Sequence, residues 1–250
     1  MNQGLQPEAE EALPVYPAHA AGKVHDGLLS HLQALLEIVV LAIFFATFIA
    51  QPDRVPTESM DPTLRVGDFY LVNKQACAPS GFFDRILPAA TVHRGDLVVF
   101  HYPANPDKDL VKRVVGLPGD HLRLRDGHVV LDGSPLAEPY AVYTQAQPDG
   151  FRDDFPSMRS ADPAVDPRWW AELRRIVTNG EIVIPPDRYF VMGDNRNDSE
   201  DSRYWGFVPR QALTGRPLLV YFSLAAPLTG GSPGLKTSLR NRWHDIRVLR

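Results

Sequence analysis

A lysine and a serine in two separate stretches are residue types that could act as the base and the nucleophile of a hydrolytic reaction. Lys112 lies in DLVKRVVGL, where strand alternation places Leu110 and Val114 on the same face. Apolar neighbours take an amine out of water, and a pKa change from ~10.4 to ~7–8 corresponds to roughly 4 kcal/mol. The neutral amine is a general base, a role that arginine cannot take because it keeps its proton.

Ser59 is the matching nucleophile candidate. It lies in the polar, proline-bracketed turn PTESMDPTL, where its hydroxyl can project into a cleft and its N–H can point at a developing oxyanion. The Thr57 hydroxyl is a candidate second donor. An ordinary turn serine and a surface lysine on an edge strand are the alternatives that these residues alone leave open.

Other catalytic signatures are missing from the chain. The sequence contains no G-x-S-x-G, no H-E-x-x-H and no C-x-x-C, so neither a metal nor another cofactor is predicted. Lysine is scarce, with 5 residues against 21 arginines, so a lysine within a strand stands out.

Composition indicates a folded protein of 250 residues with 44% apolar and 22% charged residues. The net charge of −4, with basic clusters confined to the last residues (236–250), argues against a nucleic-acid partner. The single cysteine excludes a disulfide within the chain. The 23 prolines and 18 glycines favour many short strands and turns.

An apolar segment near the N-terminus is a candidate membrane anchor. Residues 28–50 would span about 34 Å as a helix, against a hydrocarbon core of ~30 Å. The charge-free run is only Ile38 to Ala50, and Lys23 is the only basic residue before the segment, so charge does not set an orientation. A cleaved signal peptide and a buried core helix are the alternatives. We expect an uncleaved anchor after an N-terminal tail of residues 1–27.

After this segment the hydropathy pattern changes to period two, which predicts a mostly β, antiparallel body over residues 51–250. Six stretches are predicted to contain strands: 68–76, 95–103, 109–120, 121–133, 181–195 and 215–224. Asp126-Gly127 predicts a hairpin turn. Residues from about 133 to 180 have the composition of an insertion, with one short helix predicted over PRWWAELRRIVT after the cap Asp166.

Three stretches together resemble the motifs of bacterial signal peptidase I, in the family's order. They are PTESMDPTLRVGD, RGDLVVFHYPANPDKDLVKRVVGLPGD and YFVMGDNRNDSEDSRYWGFVP. The resemblance covers Gln51 to about Phe222 apart from the 143–180 region, and the apolar segment matches the family's last anchor. It implies a membrane-anchored Ser–Lys endopeptidase with a signal peptidase type catalytic domain of antiparallel β-structure.

The resemblance also implies residue roles. Ser59 falls on the nucleophile, Lys112 on the base and Thr57 on the oxyanion hydroxyl. Ser199 falls on the serine that hydrogen-bonds the lysine. Three charged positions near the site, with a structural role, are Asp194, Asp201 and Arg203. Substrate pockets for small residues at −1 and −3 are expected to be lined by Val55, Pro56, Met60, Leu110 and Val111.

The family's activity sets the expected partners and location. Its members remove signal peptides from exported preproteins at the bacterial plasma membrane, with the catalytic domain on the extracytoplasmic (periplasmic) face. Preproteins and the lipid bilayer are therefore the expected partners, with the secretion translocon as a further candidate. A single span is expected here, and the polar turn that follows it would hold Ser59 near the bilayer surface.

Some features depart from the family, and other readings stay open. Asp53 stands where a bulkier apolar residue often lines the −3 pocket, and Glu58 where glycine is common.

Rival hypotheses are a self-cleaving repressor-like protease, against which the apolar run argues, and a conjugation-type processing peptidase. An inactive membrane-tethered β-module that binds exported peptides would not need Ser59, Thr57, Lys112 and Ser199 together.

Overall fold

The computed structural model describes residues 27–48, 50–74, 91–144, 146–158, 162–224 and 246–249. The chain divides into two compact units, with the boundary between Ala42 and Ile43. The predicted N-terminal tail, Cys77 and most of the basic C-terminal segment lie outside the described residues.

Helix α1, Leu28–Phe48, occupies the predicted apolar segment. Its described side chains are exposed except for Ser30, which is half-buried. The helix ends before Ala50, which begins the first strand. Among the described residues, no helix meets the length and hydropathy required to cross a bilayer.

The prediction of a mostly antiparallel β body is confirmed. Within the described residues, one sheet has eight strands, and the second has four. The first contains β1 (Ala50–Arg54), β2 (Asp68–Asn73), β3 (Leu97–Tyr102), β4 (Asn105–Gly116), β9 (Arg188–Met192), β10 (Val208–Pro209), β11 (Leu213–Ser223) and β12 (Arg247–Val248). The second contains β5 (His121–Arg125), β6 (His128–Leu131), β7 (Ser134–Pro135) and β8 (Ile182–Val183). The strand orders are β1-β2-β11-β3-β4-β9-β10, with β12 beside β11, and β7-β6-β5-β8.

Two local predictions from turn and cap residues are confirmed. Asp126 and Gly127 join β5 to β6 with φ values of 50° and 79°, as a tight hairpin turn requires. Helix α2, Pro167–Ile176, begins after Asp166, whose carboxylate accepts the backbone N–H of Arg168 at 2.7 Å. A further α-helix within the described ranges is α3, Ser202–Trp205, which follows β9.

Strand β3 lies between two apolar clusters, and each of its faces supplies one of them. Val98 and Phe100 belong to the first cluster, Leu97 and Val99 to the second. On β4, Val111 packs in the second cluster and Val114 in the first. Val115 departs from the predicted alternation, since it packs in the first cluster, and a register shift lies between Val114 and Gly116. The inserted helix adds its buried Trp169 and Leu173 to the first cluster.

Candidate active site

The turn that carries Ser59 is tied to a distant loop by a backbone hydrogen bond. Glu58–Met60 form one 3₁₀ turn after β1, entered from an extended Thr57. The Ser59 carbonyl accepts the N–H of Asn195 at 3.1 Å. Met60 is buried on the far side of the turn and anchors it in the second apolar cluster. The Ser59 hydroxyl is thereby directed to the cleft side of the turn.

Lys112 reaches Ser59 from strand β4. Its Nζ lies 2.7 Å from Ser59 Oγ and 3.1 Å from Ser199 Oγ. The cross-strand partner of Lys112 is Val98, and that of Leu110 is Phe100, so the lysine stem lies among apolar side chains. Only 4% of Lys112 is exposed. The hydroxyls of Ser59 and Ser199 therefore form hydrogen bonds with the amine, while apolar side chains surround the lysine stem.

Burial sets the protonation of this amine. Desolvation lowers the pKa of Lys112 to about 8, an effect that the charge of Asp201 opposes and that of Arg203 reinforces. A substantial fraction of the amine is neutral slightly above neutral pH. A neutral Nζ can accept a proton from Ser59 Oγ at the observed separation.

A second hydroxyl faces the nucleophile candidate. Thr57 Oγ1 lies 3.2 Å from Ser59 Oγ and is exposed to the cleft. The cleft has a volume of about 1050 Å³. The side chains of Pro56, Thr57, Ser59, Leu110, Lys112 and Ser199 line it.

The predicted substrate-binding residues divide into two sets. Pro56 and Leu110 line the cleft. Val55, Met60 and Val111 lie instead in the second apolar cluster and are not among the described residues that line it. Asp53 accepts a hydrogen bond from Tyr70 at 2.9 Å.

Gly193 allows the turn that carries Ser59 and the loop that carries Ser199 to come close together. A Cβ at this position would lie 2.3 Å from Ser199 Oγ and 2.4 Å from the Ser59 carbonyl oxygen. Its N–H donates to Asp201 at 3.1 Å. The backbone at Gly193 is thus in contact with both sides of the Ser59–Ser199 pair.

Buried ion pairs surround the site on the side away from the cleft. Arg113 donates two hydrogen bonds of 2.7 Å to Asp194, and Thr63 donates one of 2.6 Å to the same carboxylate. Arg203 donates two of 2.8 Å to Asp201. Burial raises the pKa of Asp201, but the charge and hydrogen bonds of Arg203, together with Lys112 and the Gly193 N–H, hold that pKa below its usual value. The family resemblance placed Asp194, Asp201 and Arg203 near the site, but Arg113, the partner of Asp194, and the role of Thr63 were not predicted.

A third ion pair, also missed from the sequence, braces the loop that carries Ser199. Arg196 donates hydrogen bonds of 2.7 and 2.5 Å to Glu138 and one of 3.1 Å to the Gly193 carbonyl. Trp169 of the inserted helix donates to the Arg203 carbonyl at 3.0 Å. The insertion therefore supports the site loop directly. The sequence does not reveal that Arg196 is buried, because its partner Glu138 lies 58 positions away.

A serine hydroxyl that lines a cleft beside a buried, partly neutral amine is the arrangement of a serine hydrolase with lysine as its base. Among the described residues, no group of three or more His, Cys, Asp or Glu side chains could hold a metal ion.

The sequence comparisons place the chain in a family. The model of the family described as signal peptidase, peptidase S26, matches residues 28–222. Signal peptidase I of Pseudomonas aeruginosa is 31% identical over 219 residues, covering 82% of this chain and 76% of that protein. Signal peptidase I of Leptolyngbya laminosa is 33% identical over 216 residues, covering 84% and 87%. The chain belongs to the signal peptidase S26 family and is a serine peptidase.

A solved structure is also similar. A signal peptidase I from Enterococcus faecalis has 29% sequence identity and a TM-score of 0.36, covering 50% of this chain and 96% of that chain.

Proposed function

We propose that this chain is a membrane-anchored endopeptidase that removes N-terminal signal peptides from exported preproteins, with Ser59 as nucleophile and Lys112 as base. The observation that carries the proposal is the 2.7 Å contact between Lys112 Nζ and Ser59 Oγ inside an apolar strand environment. The family and the names of the relatives support the substrate class.

The reaction would begin with proton transfer. Neutral Lys112 takes the Ser59 hydroxyl proton as Ser59 Oγ attacks the scissile carbonyl carbon. The resulting oxyanion would accept hydrogen bonds from the Ser59 N–H and the Thr57 hydroxyl. Ser199 would keep Nζ aimed at Ser59, because its Oγ lies 3.1 Å from the same nitrogen.

The second half returns the enzyme to its starting state. Lys112 gives the proton to the leaving amine as the C–N bond breaks, which leaves the acyl group on Ser59. Lys112 then takes a proton from water, whose oxygen attacks the ester carbon. Collapse of that intermediate releases the signal peptide's carboxylate and returns the proton to Ser59.

Cleavage after small residues at −1 and −3 is part of the proposal. Pro56 and Leu110 line the same cleft as the dyad and offer apolar surface to small side chains. Substrate would bind as an extended strand, which presents alternate side chains to the enzyme.

The proposed location is the bacterial plasma membrane, with the apolar segment of residues 28–50 as anchor and the catalytic unit on the extracytoplasmic face. The exposed leucine, isoleucine and phenylalanine side chains of α1 support an apolar surrounding for that helix. The lipid bilayer and, as a candidate, the secretion translocon are the proposed partners.

The proposal is tested with the full chain in detergent and a preprotein that carries an Ala-x-Ala site. Wild type should cut after the second alanine, and Lys112→Ala should not, as read by mass spectrometry of the product. Absence of cleavage by a folded wild type would instead favour a binding module. Cleavage at equal rates by both proteins would exclude Lys112 as the base.

A further inference from the structure

The wall of the catalytic cleft is strongly acidic. Six of its lining residues carry carboxylates: Glu58, Asp109, Asp149, Asp162, Asp198 and Glu200. The cations among the described lining residues are Lys108 and Lys112. Lys112 must be neutral to act as base, so Lys108 alone offsets six negative charges in the reactive form.

Three of these carboxylates stand next to the reactive hydroxyls. Glu58 directly precedes Ser59, and Asp198 and Glu200 lie on either side of Ser199. The side chains of all three acids are exposed. Glu200 is close enough to the amine for its charge to raise the pKa of Lys112. The negative charge is therefore concentrated at the reaction centre itself.

The same three carboxylates lack cationic partners within the described part of the chain. Its ion pairs include none that involves Glu58, Asp198 or Glu200. Other acids of the wall are engaged: Asp109 pairs with His101 at 2.8 Å, and Asp149 accepts the N–H groups of Phe151 and Arg152 at 2.9 Å. Like charges that are left uncompensated around a concave site focus a field on whatever enters it.

We propose that this cleft selects substrate segments that carry lysine or arginine beside the scissile bond and disfavours segments that carry aspartate or glutamate there. Glu58, Asp198 and Glu200 are the specificity-determining residues. The inference rests on the proposed function, because it concerns the peptide that Ser59 attacks. With small residues at −1 and −3, charged side chains can occupy −2 and the first residues after the cut.

The charge pattern also explains why a departure from the family's glycine at position 58 is compatible with catalysis. A carboxylate next to Ser59 would oppose formation of the oxyanion when the bound substrate carries no cation nearby. A substrate cation bound at Glu58 neutralises that carboxylate at the moment of reaction. The same cation near Glu200 would offset the charge that favours protonated Lys112.

The test uses the full chain in a nonionic detergent with three quenched peptides that share an Ala-x-Ala site. One peptide is neutral, one has lysine at −2 and +2, and one has glutamate at both positions. The lysine peptide should have a kcat/KM about tenfold above that of the glutamate peptide at low ionic strength. The ratio should fall toward one at about 0.5 M salt, where charges are screened within a few ångströms.

Variants assign the effect to the three acids. Glu58→Gln, Asp198→Asn and Glu200→Gln should each reduce the lysine-to-glutamate ratio, and the triple variant should bring it close to one. Glu172→Gln is the matched control, because Glu172 is exposed on α2 and does not line the cleft. It should keep the wild-type ratio.

The outcomes separate the two proposals. Cleavage of all three peptides at equal, salt-independent rates would overturn the charge selectivity and leave the peptidase function standing. If the triple variant keeps the wild-type ratio of kcat/KM between the lysine and glutamate peptides, these three acids do not determine specificity. Failure of a folded wild type to cut even the neutral peptide would overturn the proposed function, and the selectivity with it.

Discussion

Lys112 Nζ lies 2.7 Å from Ser59 Oγ, although the two residues are 53 positions apart and belong to a strand and a turn. Ser199 Oγ, 3.1 Å from the same nitrogen, holds the amine from its other side. Both serines are buried, and the amine lies nearer to Ser59 than to Ser199. Since Ser59 is in the turn beside Thr57, attack from Ser59 is the geometry that the site favours.

Removal of either dyad residue should greatly lower the cleavage rate without unfolding the protein. Ser59→Ala should lower kcat by about 10⁶-fold, and Lys112→Met by about 10²- to 10⁴-fold or more. Methionine fills the buried volume of the lysine stem without a charge. Ser134→Ala on the exposed hairpin is the control and should match wild type. Peptide kinetics measure the loss of activity, and circular dichroism checks that the variants remain folded. Substantial turnover by Ser59→Ala would exclude Ser59 as the nucleophile.

The pH profile should report the buried lysine. Lys112 has a pKa of about 8, and only its neutral form is a base, so kcat/KM should fall about tenfold per unit below that value and level off above it. The Glu200 charge favours the ammonium form, so Glu200→Gln should move the midpoint to lower pH. Glu172→Gln should leave the midpoint unchanged. A profile that rises only near pH 10 would contradict a desolvated base.

The Thr57 hydroxyl should matter in the transition state more than in binding. Thr57→Val keeps the shape of the side chain and removes the donor, so kcat should fall by about 10²- to 10³-fold, or roughly 2.7–4 kcal/mol. Thr57→Ser keeps the donor and should retain most of the activity. Steady-state kinetics separate the two parameters. An unchanged kcat in Thr57→Val would take this hydroxyl out of the oxyanion site.

Local sequence signals predicted the elements well because the physical causes are local. Alternation located β3 and β4, and Asp126-Gly127 located the hairpin between β5 and β6. The cap at Asp166 located α2. The short strand β1 was missed, because AQPDR has neither alternation nor β-branched residues.

The site was harder to derive, because its contacts join distant positions. Alternation indicated that Lys112 has apolar neighbours, but nothing local to Ser59 or Ser199 shows that they meet it. The three were joined in advance only by resemblance to a family. Arg113 was visible as a strand arginine, yet its partner Asp194 is 81 positions away, and periodicity does not reveal such pairs. The burial of Val55, Met60 and Val111 likewise depends on which strands stack above them.

The buried pair of Arg113 and Asp194 should contribute to stability. Asp194→Asn removes the charge that faces Arg113 and weakens the acceptor of Thr63, in a site where Asp194 is fully buried. Loss of one partner of such a pair should lower the free energy of unfolding by about 3–5 kcal/mol. Urea unfolding measures it. Asp109→Asn, whose partner His101 is exposed, is the control and should cost less than about 1 kcal/mol. Equal effects from the two variants would contradict the importance of burial.

Gly193→Ala should separate the two halves of the site. The added methyl would lie 2.3 Å from Ser199 Oγ and 2.4 Å from the Ser59 carbonyl oxygen, so one loop must move away. A shift of about 1 Å in a catalytic group can cost 10²-fold in rate, and we expect a fall in kcat of at least about that size. Gly150→Ala is the matched control, because a Cβ there would meet nothing within 4 Å. Peptide kinetics and thermal unfolding should show a defect in Gly193→Ala alone. Full activity in Gly193→Ala would mean that the loops yield without displacing Lys112 from Ser59, and that their close approach is not what aligns the pair.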